Sequence, residues 1–90
     1  MSADSSSTFC RRKDPKLIFG DNLRRFRKAQ GLSQEKLAEH ANLHRTYVGA
    51  VERGERNISL ENIVRLACAL KITAAQLLQG IGYDGSSCGE

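Results

Sequence analysis

From Lys16 to Gln79 the apolar residues recur mostly at intervals of three and four, the period of one helical face. Few segments alternate with the period of two that a half-buried strand needs, so the pattern predicts an all-α chain. Phe19, Leu23 and Phe26, at i, i+4 and i+7, form the buried stripe of a first helix from about Pro15 to Gln30, with Arg24, Arg25 and Lys28 directed elsewhere. Asp14-Pro15 supplies an N-cap acceptor and a proline at the first helical position. Gly31 can take the left-handed conformation that ends this helix, with Leu32 packing back over it.

Ser33 caps a second helix, about Gln34 to Ala41, with Leu37, Ala38 and Ala41 inward. Ala38 is small, as a steep helix crossing requires; a bulkier residue there would overpack by roughly 1–3 kcal/mol. Asn42 tolerates positive φ and holds a tight turn, and Leu43 plugs the angle between helices. A third helix follows, about Arg45 to Arg53, with Val48 and Val51 inward and Gly54 as its stop. After a polar loop, Glu55 to Ile58, Ser59 caps a fourth helix, about Leu60 to Leu70, whose inward positions are Leu60, Ile63, Ala67 and Leu70. Thr73 to Gln76 is a capping box opening a fifth helix, about Ala74 to Gln79, stopped by Gly80. The expected organisation is a tail at 1–14, one five-helix domain at 15–80 and a second tail at 81–90, both tails mobile.

Two short helices joined by a tight turn, the second showing a mixed polar face, are the layout of a helix-turn-helix. Charge is compatible with that: the chain carries +4, and Lys16 to Gln79 alone holds 11 Lys and Arg against 6 Asp and Glu. A basic surplus raises the prior for a polyanionic partner, although an ordinary solvated surface has the same signature. Cys10, Cys68 and Cys88 are an odd set without regular spacing, which argues against a disulfide framework and suits a reducing cytosol. Cys68 is expected to be a buried or half-buried thiol beside the stripe of the fourth helix. No CxxC and no His/Cys pair at ligand spacing points to a metal, and His40 and His44 read as surface or cap residues. There is no nucleophile–base pair or phosphate-cradling glycine loop, so neither an enzyme nor a cofactor is expected. The N-terminus lacks the apolar core of a secretory signal, and no apolar run approaches the roughly 20 residues of a membrane span. The expected location is the bacterial cytoplasm, in association with the nucleoid.

The segment from Gly31 to Leu70, GLSQEKLAEHANLHRTYVGAVERGERNISLENIVRLACAL, resembles the lambda-repressor/Cro-like helix-turn-helix family, also called the XRE family. Ser33-Gln34, Leu37-Ala38, the Asn42 turn, Val48, Glu52-Arg53-Gly54 and Ile58 coincide with its pattern in order. The run from His44 to Gly49, followed by Glu52 to Asn57, is similar to the controller proteins of restriction-modification systems. The turn position is most often glycine in this family, and here it is Asn42. The resemblance implies a five-helix bundle, a homodimer and a palindromic operator near a promoter, with RNA polymerase as a candidate further partner. Alternatives within reach are an antitoxin or phage-type repressor, and a non-DNA interaction module built on the same helices.

On this reading Arg45 and Thr46, opening the third helix, face base edges. Arg45 can pair two-pronged with guanine O6 and N7, and Thr46 offers a hydroxyl and a methyl. Tyr47 is expected on the DNA through its hydroxyl or ring, with a core tyrosine as the alternative. Gly49 and Ala50 are expected to let the helix approach closely, Ala50 with apolar contact, which leaves part of the specificity to DNA shape. Gln34, at the start of the second helix, and Arg53, Arg56 and Asn57, after the third, are phosphate candidates. The resemblance implies an ion pair between Arg27 and Glu52. Ile72, Leu77 and Leu78, with Ile81 and Tyr83, are the expected dimer surface, since so small a domain cannot bury them all; packing on their own monomer is the competing view.

Overall fold

Every helix among the described residues starts at a residue whose side chain accepts a backbone N–H that the helix itself leaves unpaired. In the structure, a computed structural model that describes residues 14–82, Asp14 caps α1 (Pro15–Ala29), Ser33 caps α2 (Gln34–Ala41) and His44 caps α3 (Arg45–Glu52). Ser59 caps α4 (Leu60–Leu70), and Thr73 caps α5 (Ala74–Leu77) within a complete capping box. The described residues contain these five helices in that order. Residues 1–13, including Cys10 and Arg11 to Lys13, and residues 83–90, including Tyr83 and Cys88, lie outside the described part.

The stops are equally local. Asn42 ends α2 at φ 59°, in the left-handed region the turn requires. Lys71 ends α4 in the same conformation at φ 60°, a position where the sequence offers no glycine or asparagine as a cue. α1 and α3 each end one residue sooner than expected, because Gln30 and Arg53 serve as their caps. α5 is a single turn rather than six residues, with Leu78 as its cap.

α1 packs on α3 and α5, while α2 packs on α3 and α4, and α5 closes against α4. Leu23, Leu37, Val48, Val51, Leu66, Leu70 and Leu77 are fully enclosed where these helices meet. Two expectations for α4 need correction. Leu60 is 72% exposed: its spacing fits the stripe, but at the first helical position it lies beyond the neighbours that could cover it. Leu66 is fully buried and completes the stripe with Ile63, Ala67 and Leu70. Cys68 is exposed rather than half-buried; five residues after Ile63, it is turned about 140° away from that stripe. Leu77 is also corrected. It is 0% exposed and belongs to the core, so it is not available to a partner, whereas Ile72, Leu78 and Ile81 only lean against the core and keep part of their surface.

Two polar devices lock the helices in register. Buried Asn22 on α1 donates through Nδ2 to the carbonyls of Leu77 and Gln79, both at 2.8 Å, and its Oδ1 accepts from Arg25. This satisfies carbonyls that the end of α5 leaves open. The second device is Glu52, the last residue of α3, which is 2% exposed. Its carboxylate accepts from Arg27 Nε at 2.7 Å and Nη2 at 3.1 Å, and from Gln34 Nε2 at 2.9 Å. Arg24 donates to the Glu52 carbonyl at 3.0 Å, and Arg27 donates to the Leu32 carbonyl at 2.8 Å. One buried carboxylate thereby ties α1, α2 and the α1–α2 loop to the end of α3.

Gly20 lets α1 come close enough for this arrangement. A Cβ built there would lie 2.5 Å from the Glu52 carbonyl oxygen and 2.6 Å from that of Val51, so α1 or α3 would have to move. Gly20→Ala is expected to lower the urea midpoint, with a loss of unfolding free energy of about 1–2 kcal/mol, because a clash with two backbone carbonyls puts the overpacking in the upper part of its roughly 1–3 kcal/mol range, above the roughly 1 kcal/mol of helix propensity that alanine brings. An unchanged or raised midpoint would contradict the close approach. Arg27→Ala leaves a buried carboxylate without its main partner and should destabilise the fold by about 3–5 kcal/mol in the same measurement. A loss under about 1 kcal/mol would mean that Glu52 finds its partners elsewhere.

Candidate nucleic-acid interface

The start of α3 is set by its own cap. His44 Nδ1 accepts from the Thr46 backbone N–H at 3.2 Å and lies 2.6 Å from Thr46 Oγ1. With Nδ1 as the acceptor in both contacts, the Thr46 hydroxyl directs its proton to His44 and retains lone pairs for an outside donor. Arg45 and Thr46 are both exposed, and among the described residues Arg45 has no ion pair. The leading turn of α3 therefore presents a guanidinium and a hydroxyl to solvent.

Further along the helix the geometry departs from expectation. Tyr47 is half-buried against the core; its hydroxyl accepts from Asn62 Nδ2 at 3.1 Å, and the Arg56 guanidinium lies 5.4 Å from its ring centroid. The hydroxyl accepts in this bond and keeps its own proton for a further acceptor, while the ring is a platform for Arg56. Ala50 retains 9% of its surface and lies among the buried residues of α3, so it has no methyl to offer a partner. Gly49 does not clear a path to the outside either. A Cβ there would sit 3.3 Å from Arg53 Nη1 and 3.4 Å from Gln34 Oε1, so those two side chains lie across it.

Gln34 and Arg53 consequently converge over one spot on α3, with Arg45 two turns before Arg53. One Gln34 amide N–H is committed to Glu52 and its carbonyl oxygen lies over Gly49. Beside it the opening of α2 presents backbone donors: Ser33 caps Lys36 N, and the preceding N–H groups have no intrahelical partner. Arg53 is exposed and held by Glu55, with Nε and Nη2 donating to its two carboxylate oxygens at 2.9 and 3.2 Å. That pairing keeps the Glu55 carboxyl below the usual carboxylate range. Arg56 and Asn57 are exposed and border a cavity of about 330 Å³ whose walls include Phe19, Ile58, Leu78 and Ile81.

The sequence-predicted residues fall into two groups. Arg45, Thr46, Arg53 and the start of α2 lie together on the outward side of α2 and α3. Ala50 is buried and Tyr47 half-buried, and Arg27 and Glu52 hold the assembly from behind. Sequence reasoning missed Glu55, which carries the charge opposite to that expected of a nucleic-acid face, and Asn62, which lies on another helix. Among the described residues no group of His, Cys, Asp and Glu could hold a metal ion, and no helix is long and apolar enough to cross a membrane.

A helix-turn-helix family profile matches residues 23–77. Control protein C.SmaI of Serratia marcescens is 49% identical over 72% of this chain and 77% of its own length. The solved structure of the restriction-modification controller protein C.AhdI from Aeromonas hydrophila superposes with a TM-score of 0.70 at 52% identity, covering 72% of this chain and 98% of that one. The biofilm regulator SinR, solved in complex with DNA, superposes with a TM-score of 0.66 at 27% identity over 68% of this chain and 98% of its own. The chain belongs to the lambda-repressor/Cro-like (XRE) family of helix-turn-helix proteins, and its relatives there include restriction-modification controller proteins.

Proposed function

We propose that this protein acts as a homodimer on a palindromic operator and regulates transcription, with restriction-modification genes as its targets. The family and the controller relatives make it a DNA-binding regulator and not an enzyme. The observation that carries the finer reading is the exposed Arg45–Thr46 turn, with the opening of α2 and Arg53 alongside and the buried Glu52 network fixing all three relative to one another.

In this reading Arg45 reads a guanine through O6 and N7, and Thr46 accepts from a base donor. The backbone N–H groups at the start of α2 and the side chains of Arg53, Arg56 and Asn57 hold phosphates and set the register. Ile72, Leu78 and Ile81, together with Leu60 and Val64 on α4, supply apolar surface for the second copy. Two recognition helices about 34 Å apart would then meet successive major grooves. The cytoplasm is the compartment this requires, and RNA polymerase is the partner that the bound dimer blocks or contacts.

Footprinting on the DNA upstream of the protein's own gene tests the operator. Arg45→Ala should weaken operator binding by roughly 1–3 kcal/mol and relax preference at one symmetric pair of positions, with random duplex affected much less. Equal losses on operator and random DNA would remove Arg45 from base reading. Binding that hardly changes between low and moderate salt would favour a protein-docking module instead.

A further inference from the structure

We propose that Glu55 is an internal stand-in for a DNA phosphate: it occupies Arg53 in the free protein and thereby limits the grip on the duplex backbone. This rests on the DNA-binding reading above. Arg53 ends α3 and folds back over Gly49, beside Gln34, so its guanidinium lies within the proposed contact face. Two of its donors, on Nε and Nη2, are taken by the two oxygens of Glu55. A two-pronged carboxylate on a guanidinium has the same geometry as a two-pronged phosphate, so the two anions compete for the same donors. Both side chains are more than half exposed, which leaves the pair open to exchange. Neither Arg45 nor Arg56 has such a partner among the described residues; Arg56 lies over the Tyr47 ring.

The competition has a consequence for counterions. While Glu55 holds Arg53, that guanidinium neutralises no phosphate and releases no counterion from the duplex. Net ion release is then smaller by up to about one than the basic residues of this face would give. Removing the carboxylate frees Arg53 for a phosphate and restores that ion. The effect concerns the backbone grip and is the same for every sequence, because Arg53 reads no base.

Glu55→Gln keeps the shape and removes the charge. Binding of operator and random duplex, measured across a salt series, should strengthen by up to about five-fold near 0.15 M salt. The logarithmic salt slope should steepen by about 0.9, with the operator-to-random ratio unchanged. The gain should disappear in an Arg53→Gln background, and Glu61→Gln, an equal change of charge on α4, should not reproduce it. Thermal melting of Glu55→Gln should match the wild type, which excludes a folding effect. An unchanged slope, an equal gain without Arg53, or an equal gain from Glu61→Gln each overturns the proposal while wild-type binding stands. A wild type without salt-dependent duplex binding overturns the DNA reading, and this proposal with it.

Discussion

A carboxylate at the end of α3, out of reach of water, decides how the outward face is assembled. An unpaired buried charge is intolerable, so Glu52 must draw donors to itself. The donors it draws come from different helices: Arg27 from α1 and Gln34 from the first turn of α2. Satisfying one charge therefore fixes the mutual position of the opening of α2 and the last turn of α3, the two pieces of backbone that flank the proposed contact surface. Apolar packing alone would allow these helices to slide by fractions of a turn. A carboxylate with three directional hydrogen bonds does not, because a slide that broke them would leave a buried charge uncompensated.

The interior is arranged around that carboxylate. Gly20 removes the one side chain that would hold α1 away from the carbonyls of Val51 and Glu52. Arg24 can then reach the Glu52 carbonyl, and Arg27 can span the carboxylate and the Leu32 carbonyl together. From the middle of α1, Asn22 ties down the last turn of the fold. The first helix touches no base in the proposed complex, yet it fixes the position of every residue that does.

Local signals were legible in the sequence because their causes are local. Caps at Asp14, Ser33, Ser59 and Thr73 and the left-handed turn at Asn42 need only a few neighbouring residues to be read. Arg45 and Thr46 were legible as outward residues for the same reason: they directly follow a turn. What depends on a distant partner was not legible. Period alone could not separate Leu60 from Leu66 on α4, because coverage by other helices decides which is buried. Leu77 had the composition of an interface residue and proved to be core, since α1 and α4 close over a helix of one turn. Tyr47 and Ala50 sit on a helix whose outward arc is narrower than its sequence suggests, and the hydroxyl partner of Tyr47 comes from Asn62, 15 residues away. Glu55 was opaque because a carboxylate next to a proposed phosphate contact has no meaning until its pairing with Arg53 is seen.

In the proposed complex Arg45 and Thr46 are the base-reading side chains of α3, with Tyr47 half-buried and Ala50 buried beside them. Two residues of this kind discriminate by roughly 1–3 kcal/mol for each good two-pronged contact, and a symmetric dimer doubles that to about 2–6 kcal/mol. Specific regulators commonly hold their sites about 4–10 kcal/mol more tightly than random DNA. Hydrogen bonds to base edges therefore account for part of such a preference. The remainder must come from the spacing of two rigid half-sites and from the shape and stiffness of the DNA between them. A protein of this design needs a recognition helix that does not yield, because only a rigid pair of helices can convert DNA deformability into a difference in binding energy. That requirement leads back to the carboxylate of Glu52, whose bonds to α1 and α2 are what keep α3 from yielding.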